Sequence, residues 1–443
     1  MAQSVNLRGI ILDILMEVNE KDAYSHVTIN SALKKYQYLD KNERAFISKV
    51  SQGTIEKMIY IDEVINSFSK VRVAKMKPVI RNIMRMSVYQ LLFLDGVPES
   101  AVCNEAVKLA DKRGFHTLKG FVNGVLRNIS RNKDNLNVAN TLSVKYSLPQ
   151  WIVDYFTANY GDETSEKIFK GFEEERPTYV RCNTLKYKKS EIIESLKKQG
   201  VTVNEVPGLD DALMISDYDF ITGLDAFRNG CIYVQDISSM LVGHAASPKA
   251  NDIVIDVCAA PGGKSINVAL MLNGTGQVKA RDISANKVMM MQEMAQRLGI
   301  SNMSVEVCDA LSFNQEDEGS ADIVICDLPC SGLGIIGRKA DIKYKMTKEK
   351  QDELVLLQRN ILRVASRYVK PGGRLVFSTC TINKCENEDN YRFIIDELGF
   401  KPESLSDVLP EEYAAKTAEL GYVQLLPGIH RTDGFFISRF IRE

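Results

Sequence analysis

Two hydrophobic rhythms divide the chain. Over residues 1–140, apolar side chains recur at three- and four-residue intervals, the spacing of helices with one buried face. The opening stretch MAQSVNLRGIILDILMEVNEKD predicts an amphipathic helix with Val5, Ile10, Ile11, Ile14, Leu15 and Val18 inward. Asp13 and Glu17 interrupt it, so it reads as a helix and not as a secretory signal. VIRNIMRMSVYQLLFLD (79–95), SAVCNEAVKLADKRG (100–114) and LKGFVNGVLRNISR (118–131) continue the helical pattern. Pro98 separates the first two, and Ser100 stands where an N-cap is expected. The polar stretch 131–143 reads as a linker. Next, PTYVRCNTL reads as a strand, YKKSEIIESLKKQG as a helix and VTVNEV as a strand, a small α+β unit ending near ALMIS and GCIYVQD.

From about residue 250 the rhythm changes. DIVIDVCA, GQVKARD, SVEVCDA, ADIVICD and GRLVFSTC are short apolar runs, each ending in a polar residue or Cys. Helical stretches lie between them, and the Met289–Met291 run in one of these is expected in the core. Strand–helix alternation predicts a parallel sheet with helices on both faces. FFISRFIR reads as a closing, antiparallel strand. The expected organisation is multidomain: an all-α domain over 1–140, a small α+β domain over 141–240, and an α/β Rossmann-like domain over 241–443.

Composition narrows the class. The 443 residues are 45% apolar and 26% charged, ordinary values for a globular protein. No apolar run approaches the ~20 residues that span a bilayer. The net charge of −1 conceals an asymmetry: residues 1–140 carry 21 basic and 14 acidic side chains, the remainder 35 and 43. A basic front suits a polyanion. Its densest tract, Lys70, Arg72, Lys75, Lys77, Arg81 and Arg85, suits phosphate contacts or a solvated helix face. Arg181, Asn183 and Lys186 are either further nucleic-acid contacts or plain surface residues. Nine cysteines, an odd number without a CxxC pair, predict reduced thiols in a cytoplasmic protein and no zinc site.

In a doubly wound sheet, ligands gather at the carboxyl ends of strands. After the first of the five runs comes Asp256-Val-Cys-Ala-Ala-Pro-Gly-Gly-Lys264, a turn in which small residues let a ligand lie against the backbone. The dinucleotide pattern GxGxxG is absent. Asp282 ends the second run, placed for ribose hydroxyls, and Asp309 ends the third, placed for an adenine amino group. Carboxylates without a phosphate cradle suit S-adenosyl-L-methionine, which carries a sulfonium and no phosphate. The fourth run ends at Asp327 with Cys330 just beyond, and the fifth ends at Cys380. Adjacent strands would gather both thiols and the carboxylate in one cleft. Cys258, Cys308 and Cys326 read as buried small hydrophobes. Two thiols beside an acid suit methylation of cytosine carbon 5, in which a thiolate adds at carbon 6 while N3 is protonated.

The motifs DVCAAPGGK (256–264), DLPCSG (327–332), RKADIKY (338–344), STCT (378–381), ENE (386–388) and DGFF (433–436) resemble the RNA cytosine-5 methyltransferases. YQLLFLDGVPESAVCNEAVKLADKRG (89–114) and FVNGVLR (121–127) resemble the antitermination factor NusB. The combination is similar to the RsmB (Sun/Fmu) family of bacterial 16S rRNA methyltransferases, over nearly the whole chain. The resemblance implies an all-α NusB-like domain, an α+β RNA-binding subdomain and a class I methyltransferase domain. It implies Cys380 as nucleophile, Cys330 as the residue assisting release, and Asp327 at cytosine N3. It places Cys258, Ala259, Ala260, Pro261, Gly262, Gly263 and Lys264 along the cofactor, with Asp282, Asp309 and Asp327. The implied cofactor is S-adenosyl-L-methionine. The implied partner is 16S rRNA, free or within the small subunit or its precursor, with cytosine 967 as target; no membrane or metal is expected, and a monomer is. Leu328 stands where the family has Ala, and Ala340 and Tyr344 where it has Pro and Trp, which bears on loop shape more than on chemistry. A non-catalytic assembly factor, a tRNA enzyme of the same chemistry and an amino-group methyltransferase are the alternatives. The last would carry an Asn/Asp-Pro-Pro-aromatic tetrad where this chain has DLPC.

Overall fold

A computed structural model describes residues 5–443. They form two compact units: one holds the chain up to Glu173 together with Arg338–Lys345, the other Glu174–Gly337 and Met346–Glu443.

The first unit is helical. Its helices Leu7–Glu20, Ser25–Lys35, Lys41–Glu56, Met58–Phe68, Pro78–Phe93, Glu99–Lys112 and Lys119–Arg131 surround a single core. The first buries Ile10, Ile11, Ile14, Leu15 and Val18 as expected, with Val5 partly covered. Asp40 starts the third helix with a capping box, accepting from Glu43 N at 2.8 Å. Helices Lys41–Glu56 and Pro78–Phe93 meet where only glycine fits: a Cβ on Gly53 would lie 2.1 Å from Tyr89 Cζ. Ser100 is not an N-cap. The helix starts one residue earlier, its N-cap position is Pro98, and Ala101 N bonds to Pro98 O at 2.9 Å. Helicity also continues past the polar stretch, through Gln150–Tyr160 and Asp162–Glu173.

The basic tract divides in two. Lys70, Arg72, Lys75 and Lys77 are exposed. Arg81 and Arg85 are instead spent internally, on Glu20 and Asp62, each at 2.6 Å.

Residues 338–345 are built into this unit. Asp341 accepts from Ser25 N at 3.2 Å and from Ser25 Oγ, at the start of a helix. Lys343 donates to Glu56 O at 2.7 Å. Ala340 joins the helical core and Tyr344 packs against it. Ala340 and Tyr344, where the family has Pro and Trp, are thus packing positions of the helical unit.

The second unit holds two sheets. β1 (Thr178–Cys182), β2 (Thr202–Val206), β3 (Leu209–Ser216) and β4 (Ile232–Val234) pair antiparallel in the order β2-β3-β1-β4. With helices Lys189–Lys198 and Asp225–Arg228 between strands, this is a ferredoxin-like βαββαβ arrangement. Arg181 and Asn183 are not on its surface. Arg181 is 2% exposed and pairs with Asp211. Asn183 is fully buried, donating to Gly230 O at 3.0 Å and Leu298 O at 2.8 Å. The end of β1 and the residue after it are covered on both faces, and each of the two side chains meets a partner there; only Lys186 of the three is exposed.

The larger sheet contains β5 (Ile253–Asp256), β6 (Gln277–Asp282), β7 (Met303–Val307), β8 (Ala321–Asp327), β9 (Val369–Thr379), β10 (Lys401–Pro402), β11 (Tyr422–Leu425) and β12 (Phe435–Ile441). Its order is β10-β12-β9-β8-β5-β6-β7, with β11 also paired to β12. β5 to β9 are parallel, and β12 runs antiparallel to β9. The five apolar runs are therefore the parallel strands of a Rossmann-like sheet. On the helix Ala285–Leu298 only Met291 of the three methionines is buried; Met289 and Met290 face outward. Three successive helical residues cannot share one face.

Candidate active site

The chain winds from β5 outward in one direction to β6 and β7, and in the other to β8 and β9. The crevice at such a switch point opens beyond the strand ends. Here it is a cleft of about 390 Å³ lined by Cys258, Ala260, Asp282, Asp309, Asp327, Cys330 and Cys380. Val257, Ile283, Lys287, Cys308, Ala310, Leu311, Leu328, Pro329, Leu357 and Ile361 complete the wall. The expected residues from all five parallel strand ends thus converge. Cys258 and Cys308 are half-buried in this lining, not core. Cys326, one residue away from the strand end, is fully buried as expected.

The turn after β5 is fixed from below. Asp256, fully buried, accepts from Ser265 Oγ at 2.6 Å and from Cys258 N at 3.3 Å. Burial pushes its carboxyl up to about 7. Ala259 N bonds to Arg281 O at 2.7 Å, tying the turn to β6. Gly262 has φ +102°, and a Cβ there would press within 3.0 Å of Met291 Cγ, so glycine is required. Ala259, Pro261, Gly262 and Gly263 shape this turn and do not line the cleft.

Lys264, at the end of the same turn, reaches the end of β8. Its ammonium lies 2.7 Å from Asp327 Oδ2 and over the ring of Phe435, 5.3 Å from the centroid. The other oxygen of Asp327 accepts from Ser378 Oγ at 2.8 Å. Burial opposes the charge on Lys264, but Asp327 and the neighbouring Cys380 sulfur outweigh it and hold the lysine above its ordinary range. The pair is therefore ionic, and a cation stands by the sulfur at the end of β9.

The two thiols meet: Cys330 Sγ and Cys380 Sγ are 3.3 Å apart. The Cys330 thiol is pushed well above its usual range, by its hydrogen bond to Cys380, then by burial and by the negative charges of Cys380 and Glu386. Ionisation of Cys330 is thereby disfavoured, and the two sulfurs lie within hydrogen-bond reach of each other. Behind both thiols lies a buried polar cluster around Glu386, to which the spacing of ENE in the sequence assigned no role. Phe435 shares that omission, and Lys264, placed along the cofactor by the resemblance, was not expected to pair with Asp327. Both lay in motifs of the chain, but the meeting of Lys264 with Asp327 and with the Phe435 ring is a property of the fold.

The cleft fits S-adenosyl-L-methionine: the carboxylates of Asp282 and Asp309, apolar walls from Ile283 and Leu311, and the small side chain of Ala260 from the turn after β5.

Comparison with known proteins agrees in every part of the chain. Residues 244–441 match the family described as 16S rRNA methyltransferase RsmB/F, residues 5–131 the NusB family, and residues 148–218 the RsmF/B-like ferredoxin-like domain. The probable ribosomal RNA small subunit methyltransferase B of Bacillus subtilis (strain 168) is 34% identical over 443 residues, 98% of each chain. The ribosomal RNA small subunit methyltransferase B of Shewanella oneidensis is 29% identical over 444 residues, 99% of each. Among solved structures, PH0851 superposes with a TM-score of 0.83 at 27% identity over 99% of both chains. NSun6 from Pyrococcus horikoshii with SFG gives 0.60 at 25% identity, over 66% of this chain and 98% of that one.

Proposed function

The chain belongs to the RsmB/F 16S rRNA methyltransferase family, an S-adenosyl-L-methionine-dependent group, and we propose that it methylates carbon 5 of one cytosine through a covalent bond from Cys380 to carbon 6. The observation that carries this reading is the 3.3 Å approach of two thiols beside an Asp327–Lys264 ion pair at the rim of the cofactor cleft.

The bound cofactor supplies the methyl group. Everything else falls to side chains. Lys264 gives Cys380 the positive field a thiolate needs. Cys380 adds to carbon 6, and Asp327 faces N3, where the adjacent Lys264 ammonium supplies the proton. That leaves an enamine, whose carbon 5 is nucleophilic toward the methyl group. After transfer the carbon 5 proton departs to a base, N3 returns its proton, and Cys380 leaves as thiolate. Cys330 donates its S–H to the departing sulfur and eases its expulsion.

Carbon 5 is out of reach in a stacked helix, so the cytosine must be splayed out, at a cost of a few kcal/mol. Residues 1–140 and 141–240 hold the RNA backbone, and residues 241–443 carry the chemistry. The target, by family resemblance, is cytosine 967, in a monomer acting in the cytoplasm, where both thiols stay reduced.

Cys380→Ala is expected to abolish methyl transfer. Cys330→Ala is expected to accumulate a protein–RNA adduct that survives denaturing gels. Normal turnover by Cys330→Ala without an adduct would overturn the assignment. Bisulfite mapping of 16S rRNA from cells lacking the protein locates the cytosine.

A further inference from the structure

The thiols sit on loops fifty residues apart in sequence, each just past its strand end. The sheet fixes the strands; something else must fix the sulfurs. Behind them, Glu386 is fully buried. Its Oε2 accepts from Ser331 N at 2.8 Å and Gln358 Nε2 at 3.0 Å. Its Oε1 accepts from Asn383 Nδ2 at 2.9 Å and from Ser331 Oγ. Ser331 follows Cys330, and its hydroxyl also meets Thr381 Oγ1 at 2.8 Å, the residue after Cys380. The next residue, Asn387, brackets Cys380: it accepts from Thr379 Oγ1 at 2.6 Å and donates to Thr381 O at 3.0 Å.

We propose that Glu386, seconded by Asn387, is a positioning residue of this active site: it locks the residue after each thiol so that Cys330 is the donor and Cys380 the attacking sulfur. The inference rests on the covalent mechanism above. Only a carboxylate can accept from all four donors at once. A glutamine has one oxygen, and its NH2 would face donors. The charge matters as well as the shape. The hydrogen bond to Cys380 and burial oppose a Cys330 thiolate first, and the charges of Cys380 and Glu386 add to them, so the carboxylate reinforces a Cys330 thiol and leaves the Lys264 field to Cys380.

The test uses the full-length Glu386→Gln protein with S-adenosyl-L-methionine and 16S rRNA. The expected kcat falls about 100-fold, the order of loss from a roughly 1 Å misplacement, while KM for both substrates stays within about twofold. Iodoacetamide labelling at neutral pH, read residue by residue by mass spectrometry, should show Cys330 gaining reactivity relative to Cys380. Buried Cys326 should stay unlabelled, which reports that the fold is intact. Wild-type kcat and labelling in Glu386→Gln, with Cys330→Ala still trapping an adduct, refutes the positioning role and leaves the mechanism standing. No adduct in Cys330→Ala removes the mechanism itself. If Glu386→Gln exposes Cys326, Ser331→Ala decides: it deletes the hydroxyl links to Thr381 and Glu386 and keeps the bond from Ser331 N to the carboxylate. About a tenfold lower kcat with Cys326 protected supports the proposal, and an unchanged kcat overturns it.

Discussion

Replacing Lys264 by Met separates binding from chemistry at this site. The methionine keeps an unbranched apolar side chain of similar length but removes the ammonium from Asp327 and from the ring of Phe435. The interaction removed is a largely buried, charge-assisted hydrogen bond of 2.7 Å, with the lysine side chain 13% and the aspartate 23% exposed. Such bonds contribute about 1.5–3 kcal/mol. At 1.36 kcal/mol per factor of ten, that is about a 10- to 160-fold loss of rate if it is felt in the transition state. The assay is single-turnover transfer of a labelled methyl group to 16S rRNA, with the cofactor Kd measured separately. A lysine that only lines the cofactor would raise that Kd and leave the rate at saturation unchanged. A lysine that serves the Cys380 thiolate and N3 lowers the saturated rate and leaves Kd within about twofold. The pH profile carries the sign. Removing a cation beside a thiolate disfavours the charged form, so the acid limb of the rate should move to higher pH, with partial recovery in alkali. A wild-type saturated rate, or an acid limb that moves to lower pH, would refute the reasoning.

Two further outcomes are expected from other parts of the chain. Joint replacement of Lys70, Arg72, Lys75 and Lys77 by Ala should weaken RNA binding and flatten its salt dependence, by roughly 0.7–0.9 in log K per log salt for each phosphate no longer neutralised, with cofactor affinity unchanged; an unaltered slope would place the RNA elsewhere. Glu403 accepts from Arg374 at 2.8 Å and from Arg439 at 2.7 Å, joining β9 to β12. Burial raises its carboxyl, but the two guanidiniums outweigh this and hold it at about 2 in place of 4.5. Since the folded value is the lower one, the stabilisation is complete above the unfolded value and is lost as pH falls from about 4.5 toward 2. Discounted for its partial exposure, it amounts to about 1–2 kcal/mol. Glu403→Gln should lower the Tm at neutral pH and lessen its fall over that window, as read by thermal melts; an equal acid sensitivity would argue against the pair.

Much of this architecture was legible in local patterns. Short apolar runs marked β5 to β9, and period-3.6 runs marked the helical unit, because periodicity and run length report which faces an element buries. The residues at the ends of the five runs are those of the cleft, because in a parallel sheet every strand end opens on the same side. Motif spacing reached further, to Cys330, Cys380 and Asp327. The failures share a cause. Ser100, Arg181, Asn183 and the methionine run were judged by type and neighbours, but their settings depend on which backbone or side chain lies opposite.

Reading the residues in order did not reach the helices Gln150–Tyr160 and Asp162–Glu173 or β10 and β11. It was enough for the five parallel strands and the helical character of the front, the change from one rhythm to the other, and the reactive groups at strand ends. All of these follow from interactions between residues a few positions apart. Only the folded chain could show that β8 lies between β5 and β9, that Lys264 neutralises Asp327, that Glu386 stands behind two thiols, and that residues 338–345 belong to the helical core. Each of these joins groups tens to hundreds of residues apart. Burial makes an unmatched charge or donor costly, and the fold determines which partner is within reach to match it.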